Sequence, residues 1–567
     1  MEEKSKQSID LSKMPQICES ENESDERMQW FRDAKYGMFI HWGPCSVGQK
    51  EIGWDRDANC PWDIHKNGPR SEDSIYDNYY KEFNPQSFNA DEWVKFAKQS
   101  GMKYIVLITK HHDGFSMFDT KLSDYNIMAT PYAKDIVGKF VEACHANGIK
   151  AGLYYSTRDW YHEDYLVGNN KRYDEWYRAQ IDELLSNYGK IDMLWFDHVG
   201  GRDWGKWRFD KLFQTIYKNQ PQILVNNRAA KFCGPTSPDD LGPQSVELEK
   251  IVAGDFYTPE GRIGSMDIEQ DWESCIHVGK GWSYRGEDGF KGAEDCIKML
   301  VSCTTGGGNL LLNFGPRPNG TFAAGEVAVA KVVGEWLDKY GEAIYETRGG
   351  PYANGLWGGS CFKGNKLYLH LYKTIDDFIA FDALPCKVLS AKTLGGTKVD
   401  YMQSVNELKI NITKEHLDSP ITVVELTLDS ELTPGTLVGC TKITEDNISE
   451  YGELLSEQIA PEFTSINEEE FELEIPLKRM RFIKALSIET DIDSEAYDTM
   501  QIFIANIDKT YSKILETKEI KQKQIIPITH FHAGIDVLGI RSRLMKIIIK
   551  GSSLKLLPMK LVQVYGS

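Results

Sequence analysis

The sequence is short of positive charge: 65 Lys and Arg stand against 84 Asp and Glu, a formal net charge of −19. A chain with that balance repels nucleic acid and anionic membrane surfaces, so a neutral ligand fits it better than a polyanion. No run of 18 or more apolar residues occurs, so no membrane-inserted helix is expected. Met1 to Glu26 is polar and charged, without the apolar centre of a secretory signal. A leader exchanged for a start methionine would look the same, so a periplasmic or secreted location is the expectation and a cytoplasmic one stays open. The eleven cysteines include no C-x-x-C pair, and neither a zinc ribbon nor a full disulfide framework is expected. Nor does a G-x-G-x-x-G follow an early strand, which removes the usual nucleotide-binding reason for a doubly wound sheet.

What is present is a repeated βα texture. Trp176, Tyr177, Ile181, Leu184, Leu185 and Tyr188 recur at helical spacing, and Gly189 supplies a left-handed stop. Ile191 to Phe196 is then an apolar run of strand length that delivers Asp197 at its C-terminal end, where βα folds collect catalytic groups. A helix N-cap is the plainer role for such an aspartate. Gly200, Gly201 and Trp204 follow it instead of a helical pattern, which favours chemistry.

The same unit recurs along the chain. Tyr36 to Ile40 leads into His41 and Trp42, Asn89 caps a helix ending near Gly101, and Tyr104 to Thr109 leads into Lys110-His-His-Asp-Gly114. Another helix closes at Gly148, Lys150 to Tyr154 leads into Tyr155, and Ile223 to Asn227 leads into Arg228. An irregular stretch from 229 to 290 precedes the strand Asn309 to Phe314. We read an α/β chain: a flexible lead over 1–26, a (β/α)8-type barrel over 27–345, a β-sandwich over 346–436 and a second β-rich module over 437–567. A doubly wound sheet is the alternative for the barrel. Because neighbouring residues of a strand face opposite ways, His111 and His112 are not expected to chelate a metal together.

Seven stretches carry a family likeness: Lys35-Tyr-Gly-Met-Phe-Ile-His-Trp-Gly43, Lys110-His-His-Asp-Gly-Phe115, Tyr154-Tyr-Ser156, Leu194-Trp-Phe-Asp197, Asn226-Asn-Arg228, Trp272-Glu-Ser-Cys275 and Asn309-Leu-Leu-Leu-Asn-Phe-Gly-Pro316. In this order they resemble the family 29 glycoside hydrolases, the retaining α-L-fucosidases, over roughly residues 25–435. The resemblance implies a barrel followed by a β-sandwich, no metal or other cofactor, and exo-acting release of fucose from a fucosylated oligosaccharide or polysaccharide. It also implies a covalent glycosyl-enzyme intermediate formed on Asp197. His41, His111, His112, Tyr155, Trp195 and Arg228 are implied to hold the sugar, with Glu51, Trp54 and Trp282 from loops. The family usually has glycine after the nucleophile, and His198 stands there in this chain. The general acid is left between Glu260 and Glu273. Glu260 is preferred, because it follows Thr258 and Pro259 in a loop whereas Glu273 opens an apolar strand. A glycosidase for a related sugar such as galactose and an inactive sugar-binding barrel are the rival readings.

Overall fold

The computed structural model describes residues 21–56, 74–166, 170–197, 209–229, 254–264, 270–355, 357–372, 378–405, 407–436 and 438, and strands between 453 and 566. One compact unit takes most of the chain up to Arg348, and a second takes the chain from Gly349 onward.

The first unit is built on seven parallel strands: β1 (Tyr36–Ile40), β2 (Tyr104–Lys110), β3 (Lys150–Ser156), β4 (Met193–Asp197), β5 (Leu224–Val225), β6 (Glu273–His277) and β7 (Asn309–Phe314). Their order in the sheet is β5-β4-β3-β2-β1-β7-β6, which leaves β5 and β6 as the edges. Residues 255–261 join those edges. Asn226 bridges Phe256 in parallel, Tyr257 bridges Trp272, and Glu260 bridges Cys275. Main-chain bonds from Asn227 to Phe256, Glu273 to Tyr257 and Gly261 to Cys275 complete the seam at 2.8–3.0 Å. This irregular eighth segment closes a (β/α)8-type barrel, with Glu260 at its C-terminal end.

Local signals set the helices of the outer layer. Asn89 accepts from the Glu92 amide (3.2 Å) to start Ala90–Gln99, and Asp135 accepts from Gly138 (2.8 Å) to start Ile136–Asn147. Gly148 at φ 68° ends the latter. Inside the barrel, strand alternation sends one set of residues to the lumen and the other to the helices. Gly37 is needed there, since a Cβ at that position would lie 2.3 Å from the Tyr104 ring.

The N-terminal end of the barrel is plugged by the helix Glu21–Ala34, which begins within the stretch read from sequence as a lead. Met28, Phe31 and Ala34 are buried with the lumen residues Phe39, Tyr104, Val106, Trp195, Phe256 and Leu311. The Phe31 ring lies 4.6 Å from that of Phe256, and Asn309 donates to the Phe31 carbonyl (2.8 Å).

In the second unit, antiparallel strands Val388–Thr393, Thr422–Leu428, Lys366–Leu371 and Gly358–Lys363 lie in that order, and Phe378–Asp382, Glu407–Asn411 and Tyr401–Gln403 form another sheet. Phe362, Leu367, Leu369, Phe381, Leu408, Ile410, Val424 and Leu426 fill the space between, the sandwich read from alternation. Beyond residue 452 the described elements are all strands. The longest of them is the 21-residue strand Glu470–Thr490. Its register shifts between Pro476 and Arg481, where proline has no N–H to give the ladder.

Truncating the plug should loosen the barrel. Phe31→Ala is expected to cost about 3–5 kcal/mol, seen as a lower denaturant midpoint of the tryptophan-fluorescence transition. Ile75→Ala, whose side chain is 76% exposed, should stay within about 0.5 kcal/mol of the parent.

Candidate active site

The C-terminal ends of the strands bring polar groups to one mouth of the barrel. Asp197 ends β4 with its side chain only 11% exposed, and each of its oxygens has a donor. Arg228 Nη1 donates to Oδ1 (2.8 Å) and the Tyr154 hydroxyl donates to Oδ2 (2.8 Å). Arg228 follows β5 in a short 3-10 turn, Asn227–Ala229. Its Nε donates to Thr258 Oγ1 (2.8 Å), its Nη2 to the Thr258 carbonyl (2.9 Å), and its Nη1 also lies 2.8 Å from Glu260 Oε2. The guanidinium sits 4.7 Å above the Trp195 ring. These carboxylates hold its pKa above the ordinary arginine value against the opposing effect of burial. Asp197 Oδ1 and Glu260 Oε2 share one nitrogen, so they are separated by no more than twice 2.8 Å.

Glu260 is the more open carboxylate, 45% exposed in its side chain. Glu273 is different in kind. It opens β6 at the plugged end, is fully buried, and accepts from the Tyr104 hydroxyl and from Trp195 Nε1 (3.1 Å). Burial drives its pKa up to about 7 despite those two donors. The sequence left both glutamates as candidates for the acid; the fold puts only Glu260 at the mouth.

The histidines lie beside Asp197. His41 Nδ1 lies 2.6 Å from Asn313 Oδ1, an acceptor, so Nδ1 carries the proton. Burial lowers the His41 pKa to about 3, and the ring is neutral with Nε2 as an acceptor. His112 Nδ1 meets Ser156 Oγ at 2.6 Å, and its Nε2 lies 3.8 Å from Asp197 Oδ2. The expectation that His111 and His112 face apart is overturned: β2 ends at Lys110, the pair sits in a turn, and the rings are 4.0 Å apart. Strand alternation does not act beyond the strand. His111, His112 and Asp197 accordingly present ligand atoms within 4.8 Å of one another, a spacing that a cation could use. Asp197 already faces a guanidinium at 2.8 Å, whose charge opposes a second cation there.

Tyr155 is a correction. The register Tyr154↔Trp195 and Ser156↔Asp197 puts Tyr154 on the lumen side with Asp197, and Tyr155 on the outer face. The Tyr155 hydroxyl donates to Gln180 of the helix Asn170–Asn187 (2.8 Å), while Tyr154 reaches the carboxylate. The alternation of Gly152, Tyr154 and Ser156 toward the Asp197 side was the signal for this.

Trp195 is 1% exposed and forms a floor under Arg228, with Phe39 at 5.1 Å and Tyr154 at 5.6 Å. Trp282 faces His41 at 4.9 Å, and Trp54 stands edge-on to His112 at 5.2 Å. Glu51 acts as a staple between loops: its Oε1 accepts from the amides of Trp282 (2.9 Å) and Ser283 (3.2 Å). His277, at the end of β6 and 5.4 Å from Trp282, was not singled out from sequence. His198 lies outside the described residues.

A family model described as alpha-L-fucosidase matches residues 5–342. The human plasma alpha-L-fucosidase is 31% identical over 346 residues, 56% of this chain and 69% of that protein. The human tissue alpha-L-fucosidase is 28% identical over 344 residues, with the same coverage. Among solved structures, alpha-L-fucosidase isoenzyme 1 from Paenibacillus thiaminolyticus superposes with a TM-score of 0.62 and 33% identity, covering 72% of this chain and 100% of that one. A family 29 alpha-L-fucosidase from Bacteroides thetaiotaomicron, described as a covalent intermediate trapped with 2-fluoro-fucosyl fluoride in a Glu-to-Gln variant, gives 0.60 and 25%, covering 72% and 97%.

The buried carboxyl makes a testable mark on stability. Glu273 binds its proton more tightly in the folded state, up to about 7, than a free carboxyl with a pKa of 4.5. Between those values the folded chain holds more protons than the unfolded one, so stability should fall by a few kcal/mol as pH rises through that window. Glu273→Gln should flatten this part of the stability profile, measured by denaturant unfolding at pH 4.5, 6 and 8.

Proposed function

The chain belongs to the α-L-fucosidase family and is a glycoside hydrolase, and we propose that it releases terminal α-L-fucose by double displacement, with Asp197 as nucleophile and Glu260 as acid and base. The observation that carries this reading is the shared Arg228 nitrogen, which keeps the two carboxyls within reach of the roughly 5 to 5.5 Å separation that retaining glycosidases use. The covalent intermediate named for the Bacteroides thetaiotaomicron relative supports the same course.

In the first step Asp197 attacks the anomeric carbon while Glu260 gives its proton to the departing oxygen. Arg228 and Tyr154 fix the attacking carboxylate by one hydrogen bond to each oxygen. Once the ester forms, Asp197 has lost its charge, and Arg228 keeps a single carboxylate beside it. That is the ionised Glu260, which takes the proton of the incoming water in the second step. Neutral His41 and the His111–His112 pair offer the hydroxyl contacts. Phe39, Tyr154, Trp195 and Trp282 form an apolar wall, with Phe39 5.1–6.3 Å from the other three. A C6 methyl suits that wall and a C6 hydroxyl does not, which favours fucose over galactose.

Three sets of variants test the assignment. Asp197→Gly should abolish turnover of 4-nitrophenyl α-L-fucoside, and azide should restore part of it with an inverted product; parent-like activity in the variant would end the proposal. Glu260→Ala should lose about 10²–10⁴-fold on a fucosyl oligosaccharide and far less on a fluoride or 2,4-dinitrophenyl donor, which needs little protonation. An equal loss on both, together with a differential loss in Glu273→Ala, would move the acid to Glu273. Tyr154→Phe removes a hydrogen bond to a charged group and should lower kcat/KM about 10- to 100-fold. Tyr155→Phe should instead lower thermal stability, by about 1 kcal/mol, and spare the rate.

A further inference from the structure

Polar groups reach the mouth of the barrel from most of its strands: His41 after β1, His111 and His112 after β2, Asp197 from β4, Arg228 after β5, Glu260 from the closing segment, His277 from β6 and Asn313 from β7. The proposed chemistry uses these, Asn313 through its hold on His41, but not His277. Its side chain has the parity of Glu273 and Cys275, and its register partner across the ladder is Asn313, the residue that holds His41. On the other side, β6 is seamed to the Glu260 segment through Cys275. His277 is therefore the next rim position beyond Glu260, on the side away from Asp197.

Its ring has a fixed polarity. Nδ1 lies 2.6 Å from the Gly279 carbonyl, which only accepts, so Nδ1 carries the proton. Burial and the nearby Lys291 ammonium lower its pKa, and the neutral ring leaves Nε2 as an acceptor, without a partner among the described residues. Lys291 in turn donates to the His277 carbonyl (2.8 Å), and the Trp282 ring stands edge-on at 5.4 Å. The residue is half-buried and held from both ends.

We infer that His277 is a specificity residue for the leaving group, accepting a hydrogen bond from a hydroxyl of the sugar to which fucose is attached. The inference rests on the proposed roles of Asp197 and Glu260. Displacement drives the bond from the nucleophile's side toward the acid, and the leaving oxygen must lie beside Glu260. Of the rim groups flanking Glu260, Arg228 has its donors committed to Asp197, Glu260 and Thr258. That leaves His277.

The test compares substrates with and without that sugar. In His277→Phe, kcat/KM for 2′-fucosyllactose or 3-fucosyllactose should drop about tenfold more than for 4-nitrophenyl α-L-fucoside, and His277→Gln should recover part of the gap through its amide oxygen. A second measurement follows the glycosyl-enzyme of the full chain at fixed lactose: the ratio of transfer to hydrolysis should fall several-fold in His277→Phe, a partition that a loss of folded protein does not change. Equal loss on all substrates with an unchanged partition would overturn the inference and leave the fucosidase reading standing. A parent protein that does not turn over the nitrophenyl fucoside would instead refute the reading beneath it.

Discussion

A single buried guanidinium sets the geometry of the mouth. Arg228 is almost excluded from solvent, and desolvating that charge costs several kcal/mol unless its donors are met. They are met by Asp197, Glu260 and both oxygens of Thr258. This one requirement ties three consecutive strand ends together: β4 through Asp197, β5 through Arg228 itself, and the closing segment through Thr258 and Glu260. The segment 255–261 has few ladder bonds of its own, and Arg228 supplies part of what holds it at the rim. Trp195 completes the arrangement from below, with its π face under the cation and its N–H turned away toward Glu273.

The two glutamates illustrate how one barrel gives the same residue type opposite environments. Glu273 sits among Tyr104, Trp195 and the plug helix, where burial dominates and the proton is held up to about 7. A raised carboxyl pKa is often a mark of an acid catalyst. Its position is unlike that of Glu260: Glu273 lies at the plugged end, with the Trp195 ring between its level and the mouth, and both of its donors are barrel residues. Glu260 is half open to solvent and next to the strand end that carries Asp197's guanidinium partner.

Much of the barrel was legible because its signals are local. Periodic apolar helices, the cap at Asn89, the glycine stop at Gly148 and the apolar strand runs each act over a few residues, and they agree with one another. The candidate site was legible where a residue type was tied to a strand end, as with Asp197, Arg228 and His41. It was misread where one residue of register decided the outcome. Tyr154 and Tyr155 are chemically identical, and only the alternation set by Asp197 assigns one to the lumen and the other to Gln180. The His111–His112 pair was misread for the reverse reason, since alternation was applied where the strand had already ended. The eighth segment was hidden because isolated bridges in a Gly- and Pro-containing stretch lack the apolar periodicity of a strand. His277 was hidden because a lone histidine after Cys275 and Ile276 has no signature until its parity with Glu273 is known.

The neutral and the ionisable groups of the mouth are held in different ways. Polar acceptors with neutral rings, His41 and His277, are pinned through Nδ1 by oxygen acceptors, Asn313 Oδ1 and the Gly279 carbonyl. Each pinning fixes the tautomer, so each histidine presents a lone pair and not a charge. The ionisable groups of the row are Asp197, Arg228 and Glu260, and one guanidinium serves both carboxyls. Phe39 and Trp282 pack against the His41 ring at 4.5 and 4.9 Å, and Tyr154 and Trp195 lie 5.8 and 5.1 Å from Phe39. On the proposed reading, a ligand brings hydroxyls to the histidine acceptors, an apolar substituent to the rings beside them, and a centre of developing positive charge over the carboxylate. A neutral 6-deoxy sugar has that distribution; a sugar with a C6 hydroxyl would bury an unmatched donor against four aromatic rings.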